Sequence, residues 1–136
     1  MDGATVKNQG EVKFYTPGRE YYFEEGCFIN ELSNEPDDPA VSLARARVEP
    51  GKTTRWHYLK QTSERYVIIS GSGLVETGER APAAVSAGDV VLIPPGVRQR
   101  IHSAGPGDLV FLAICSPRFQ PQNYVDCDVP HPALDE

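Results

Sequence analysis

Three side chains of complementary chemistry, His57, Glu64 and Gln99, stand between turn-forming residues at regular intervals in this 136-residue chain. The stretch GKTTRWHYLKQTSERYVIISG, from Gly51 to Gly71, carries His57 and Glu64, and GDVVLIPPGVRQRIHS, from Gly88 to Ser103, carries Gln99. An imidazole nitrogen, a carboxylate oxygen and an amide oxygen, with water completing the shell, can hold a divalent ion. One nitrogen and two oxygen donors favour Mn, Fe(II), Ni or Zn without choosing among them. Without an ion, the same groups would hydrogen-bond an organic ligand.

The two stretches resemble the paired signature motifs of the cupin superfamily. In the first, Gly51, His57, Glu64 and Gly71 fall on the family's pattern, and Leu59 stands where a second His is usual. In the second, Gly88, Pro94 and Gly96 fit, with Gln99 in the usual His position and Ser103 in the usual Asn position. The resemblance implies a double-stranded β-helix, the small jelly-roll barrel of cupins, over roughly residues 40 to 116. It also implies a small organic ligand inside the barrel and a metal held by His57, Glu64 and Gln99. An enzyme of this kind would be an oxygenase, isomerase, cyclase or lyase, with Tyr66 as a proton donor. A two-His-one-carboxylate iron oxygenase is disfavoured, because only one of its two His is present. A metal-free, non-catalytic ligand-binding or sensor cupin is the alternative, and Leu59, which cannot ligate, argues for it.

The elements that would position these groups are short strands. Twelve Gly and twelve Pro break the chain into brief apolar or alternating runs. Residues 44–50, 55–59, 64–70, 73–78, 89–94, 98–103 and 108–115 read as strands, and no segment sustains helical periodicity. The expected class is therefore all-β, closed or sandwiched. Residues 1–39 read as an N-terminal arm and loop, with ELSNEPDDPA (31–40) as the loop, 40–116 as the barrel and 117–136 as a C-terminal extension ordered to about Asp126.

Side chains alternate across a strand, so His57 pointing inward carries Leu59 inward and sends Trp56 and Tyr58 outward. Glu64, Tyr66, Ile68 and Ser70 share a face, as do Val97, Gln99, Ile101 and Ser103. Cupin-like strand pairing would put His57 and Glu64 on one wall of the barrel mouth. His102 has the outward parity, and His131 falls in the Pro-rich tail. Arg55, Arg65, Arg98 and Arg100 face away from the site, where ion pairs with acidic neighbours are expected. Cys115 reads as a small buried hydrophobe.

Trp56, Tyr58, Val67 and Ile69 make an apolar outer face that needs cover, either from residues 10 to 30 of the same chain or from a second copy. The resemblance implies a homodimer. With 19 acidic against 13 basic residues and a formal charge of -6, no basic stripe is available for nucleic acid. No apolar run approaches a membrane span, the first residues lack a signal-peptide core, and the three cysteines form no disulfide framework, so the expected location is cytoplasmic. A Ser-His-Asp order, a Gly-rich phosphate loop and a nucleotide fingerprint are all missing from the sequence.

Overall fold

The structure is a computed structural model and describes residues 9–128. Its strands in chain order are β1 (Tyr21–Phe23), β2 (Cys27–Ser33), β3 (Ser42–Val48), β4 (His57–Leu59), β5 (Ser63–Ser70), β6 (Ser72–Thr77), β7 (Ala83–Ser86), β8 (Val90–Ile93), β9 (Gln99–Ser103), β10 (Leu109–Ser116) and β11 (Tyr124–Asp126). They form one sheet ordered β1-β2-β3-β10-β5-β8 and another ordered β11-β4-β9-β6-β7. The pairings are antiparallel, and two short 3-10 turns, Pro17–Arg19 and Pro121–Asn123, supply the helix among the described residues. The all-β expectation holds. No helix among those residues is long and apolar enough to cross a membrane.

The inner faces follow the alternation of the sequence. Glu64, Tyr66 and Ile68 of β5 and Gln99, Ile101 and Ser103 of β9 are all buried. Ile68, Ile101, Val48, Leu109 and Phe111 are almost wholly withdrawn from water. Each such side chain contributes about 1.5–3 kcal/mol, which makes the space between the sheets the source of stability. Between β5 and β6, Gly71 has φ +84°, and a Cβ there would lie 2.4 Å from the Asp108 carbonyl oxygen. The motif's last glycine is thus needed for close backbone approach as well as for its dihedral.

Strands β1, β2, β7 and β11 lie outside the runs recognised in the sequence. β1 and β11 are too short to show alternation, and β7 is the Ala-rich segment AAVS. Strand β2 reaches Ser33, so the loop expected from residue 31 begins later. The chain beyond Ser116 is laid across the barrel. Arg118 N–H donates to the Pro39 carbonyl, Lys60 N–H to Asn123 and Cys127 N–H to Trp56, while Tyr124–Asp126 pairs with β4.

On the outer surface, Trp56 is held between the guanidinium groups of Arg98 and Arg100, 4.3 and 4.4 Å from its ring. Arg55 pairs with Asp126 at 3.0 Å, Arg100 with Glu76 at 2.8 Å and Arg98 with Glu79 at 3.9 Å. Arg65 instead donates to the Ser116 hydroxyl. His102 Nδ1 contacts the Thr53 hydroxyl at 2.7 Å, away from the barrel interior. His131 lies outside the described residues.

Candidate active site

His57 is the first residue of β4, and its ring is fixed from both sides. Nδ1 lies 2.8 Å from the Arg55 carbonyl oxygen, which can only accept, so Nδ1 carries a proton. Nε2 then faces inward, 3.1 Å from Oε1 of Glu25. That contact takes one more proton, shared between ring and carboxyl, and makes the two a hydrogen-bonded dyad. Both members are buried.

Glu25 occupies the turn between β1 and β2. The turn is pinned beside the start of β4, because Arg55 N–H donates to the Glu25 carbonyl at 2.7 Å. Gly26, with φ +105°, turns the chain where a Cβ would be 3.4 Å from the Thr53 carbonyl. The Cys27 thiol donates to Glu25 Oε2 at 3.3 Å, so both carboxylate oxygens are engaged. Nothing in the residue pattern links Glu25 to His57. The only local cue is a carboxylate next to a glycine at a strand start, which is too common to be informative.

Tyr124 completes the setting. Its ring stacks on the His57 imidazole at 5.0 Å between centroids and 19° between planes, and meets Phe23 edge-on at 5.4 Å. It is brought there by the pairing of β11 with β4.

Glu64 comes from the opposite sheet. The expectation of one shared wall is corrected here: β4 and β5 belong to different sheets, so His57 and Glu64 approach the cavity from facing sides. The crossing is made at Lys60–Thr62, where Gln61 takes φ +63°. Glu64 Oε1 is buried and has no hydrogen-bond partner within the protein. Burial, reinforced by repulsion from Glu25, raises its carboxyl to a pKa of about 7, with His57, Gln99 and Cys115 pulling the other way. Near neutrality Glu64 therefore exists in both protonation states.

Gln99 is paired with His57 across β4 and β9, and its side chain is fully buried without lining the cavity. Its Oε1 accepts a hydrogen bond from the Tyr66 hydroxyl. Its Nε2 favours the charged form of Glu64 without completing a hydrogen bond to it. Tyr66 lines the cavity, but its proton is directed at Gln99, and burial holds its pKa well above the ordinary tyrosine value. It is poorly placed to act as the expected proton donor.

The anticipated metal shell of His57, Glu64 and Gln99 does not fit this arrangement. Gln99 has its acceptor oxygen engaged by Tyr66 and does not line the cavity. His57 Nε2 is engaged by Glu25, and Leu59, facing the same cavity, offers no donor. Among the described residues no group of three or more His, Cys, Asp and Glu side chains could hold an ion. The thiols of Cys27 and Cys115 also line or adjoin the site, and burial pushes both well above the ordinary range, so neither is a ready nucleophile.

The cavity enclosed by these groups measures about 90 Å³, room for a small organic molecule. Aromatic rings make up much of its wall, among them Tyr21, Phe23, Phe119 and Tyr124. The His57–Glu25 dyad and Glu64 thus face one small compartment.

Residues 44–115 match the Cupin domain family. The chain belongs to the cupins. That match runs from β3 to β10 and contains His57, Glu64 and Gln99, whereas Glu25 and Tyr124 lie outside it. Solved cupin-like structures resemble the whole of it more loosely. The nucleoside dehydratase Pac13, from Streptomyces, is 19% identical with a TM-score of 0.71, over 89% of this chain and 95% of that one. A double-stranded β-helix protein of Klebsiella pneumoniae is 14% identical with a TM-score of 0.70, over 85% and 97%. A predicted oxalate decarboxylase of Thermotoga maritima is 26% identical with a TM-score of 0.62, over 67% and 80%. No curated protein sequence matches the chain. These likenesses establish the double-stranded β-helix anticipated from the motifs.

Proposed function

We propose that this cupin binds a small organic molecule between its sheets and catalyses proton transfer on it as a lyase or isomerase. The observation that carries the reading is the unpartnered Glu64 Oε1, buried and near neutrality, in the same cavity as the His57–Glu25 dyad. Buried titratable groups with opposed environments are the usual means of running acid and base chemistry side by side.

The step that suits these groups begins with ionised Glu64. Its Oε1 takes a proton from a carbon next to a carbonyl, and the freed electron pair forms a double bond to the neighbouring carbon. In an elimination, that neighbour loses its hydroxyl, which accepts the His57 Nε2 proton and departs as water. In an isomerisation, the same proton is delivered to the carbonyl oxygen, Glu64 returns its own proton to an adjacent carbon, and a hydroxyl of the enol intermediate gives one proton back to His57 as the new carbonyl forms. Either route balances without an external oxidant or reductant. The proton delivered is the one that Nε2 shares with Glu25 Oε1, both residues lining the cavity, and the Arg55 carbonyl holds the ring in that orientation. A nucleoside dehydratase built on the same fold is compatible with elimination, and uridine, with which Pac13 was solved, is one compound to try. The metal-dependent variant of the reading requires a donor set that Gln99 and Leu59 do not provide.

The test is a deuterium-incorporation assay by nuclear magnetic resonance on a panel of β-hydroxycarbonyl compounds. Exchange at the α-carbon, with or without loss of water, is expected for the wild type and should disappear in Glu64→Gln protein that retains its thermal transition. Equal exchange in wild type, Glu64→Gln and His57→Gln would overturn the assignment.

A further inference from the structure

Charge is distributed very unevenly between the cavity and the rest of the molecule. Glu25, Glu31 and Glu64 line the cavity, and among the described residues no Arg or Lys does. Among the described residues the one basic side chain lining it is His57, whose Nε2 is engaged by Glu25 at 3.1 Å. The arginines nearby are committed elsewhere. Arg55 binds Asp126 on the outer side, and Arg118 donates to Asn34 Oδ1 at 2.9 Å without itself lining the cavity. In the open groove that adjoins at Tyr21, Glu31 and Asn34, Lys13 pairs with Glu35 at 2.9 Å and Arg45 with Glu20 at 3.5 Å, while Arg19 stands in solvent.

A carboxylate or phosphate entering this compartment would lose its hydration, meet no unengaged cation and face the charge of Glu64. The walls, by contrast, offer flat apolar surface. Tyr124 and Phe23 form an edge-to-face pair, and Tyr66 and Phe111 form a tilted pair at 4.3 Å. Such walls suit a ring that can stack or meet an edge.

Taking the cavity as the substrate site proposed above, we infer that the part of the substrate bound there is a ring-bearing group that is uncharged or cationic, and that anions are selected against. Specificity then comes from what the cavity lacks as much as from what it contacts: the unpaired carboxylate of Glu64 acts as the repulsive element. A molecule whose reactive end is itself a carboxylate is excluded as substrate.

Three probes with one ring and one chain length separate the charges: tyrosol (alcohol), tyramine (ammonium) and 4-hydroxyphenylacetate (carboxylate). Isothermal titration calorimetry at about pH 8, where Glu64 is mostly ionised, should show the carboxylate binding at least about tenfold more weakly than the alcohol, with the amine no weaker than the alcohol. In Glu64→Gln protein the gap between acid and alcohol should narrow. The inference is overturned if the acid binds as tightly as the alcohol, if the gap is unchanged in Glu64→Gln, or if none of the three binds at millimolar concentration. Because the readout is binding alone, its failure leaves the proton-transfer reading to be judged by deuterium incorporation, and the loss of exchange activity leaves the charge selection standing.

Discussion

His57 Nε2 lies 3.1 Å from Glu25 Oε1, joining a residue of the family motif to a turn that precedes the matched region. It gives His57 a partner in a site where Leu59 and Gln99 stand in two positions at which the family usually has His. Its inward nitrogen is matched to a carboxylate.

Removing the carboxylate should be felt in catalysis more than in folding. Glu25→Gln keeps the volume of the turn but leaves the imidazolium unpaired, and kcat is expected to fall about 10²- to 10⁴-fold, the range typical of a lost acid–base partner. The pH inflection assigned to Glu64 should also move down, since the repulsion from Glu25 outweighs the attraction of His57. An unchanged inflection alongside lost activity would mean that Glu25 serves only the packing of the turn.

Under the proposed function, Glu64 sets the pH dependence of the reaction. As the base it must be ionised, so kcat/KM is expected to rise with pH and level off above about 7. A profile that falls through that point would show Glu64 acting as the acid instead.

Stability should carry the opposite trend. The folded carboxyl titrates near 7, against an ordinary value of 4.5, so between those points the folded chain holds more protons than the unfolded one. Stability contributed by this group is complete below the ordinary value and is lost as pH rises to the folded one, by about 3 kcal/mol in all. Denaturant titrations of wild type and Glu64→Gln, compared between acid and neutral pH, should differ in slope by this contribution; parallel curves would refute it.

Metal retention can be added by design. Leu59 lines the cavity on the strand that carries His57, so Leu59→His places a second imidazole in the compartment that already holds Glu64. Untagged wild type is expected to retain less than about a tenth of an equivalent of transition metal, and Leu59→His to approach one equivalent. Stoichiometric metal in the wild type would restore the shell of His57, Glu64 and Gln99.

Tyr124 acts through His57. Tyr124→Leu removes the stacked ring and should lower kcat up to about tenfold, in line with the 0.5–1.5 kcal/mol of such ring pairs, whereas Tyr124→Phe should stay close to wild type. Equal losses in both variants would shift the role to the hydroxyl.

The barrel was legible in the sequence because its causes are local. Alternation along residues 64–70 and 98–103, glycine where the backbone reverses or approaches another strand, and proline at corners each act within a few residues, and together they place His57, Leu59, Glu64 and Gln99 on inner faces. What those side chains do once inside depends on which groups face them across the sheets. The Glu25 turn meets β4 through one long-range backbone hydrogen bond, β11 carries Tyr124 onto the imidazole, and Tyr66 claims the amide oxygen of Gln99. Spacing along the chain encodes parity, and parity reveals which side of a strand a residue takes. It does not reveal which partner closes over it, because a buried hydrogen bond or a raised carboxyl pKa is set by distances of a few ångströms between segments far apart in sequence. That is why the motif residues suggest a metal shell, whereas the contacts of His57 with Glu25 and of Gln99 with Tyr66 come only from the folded chain.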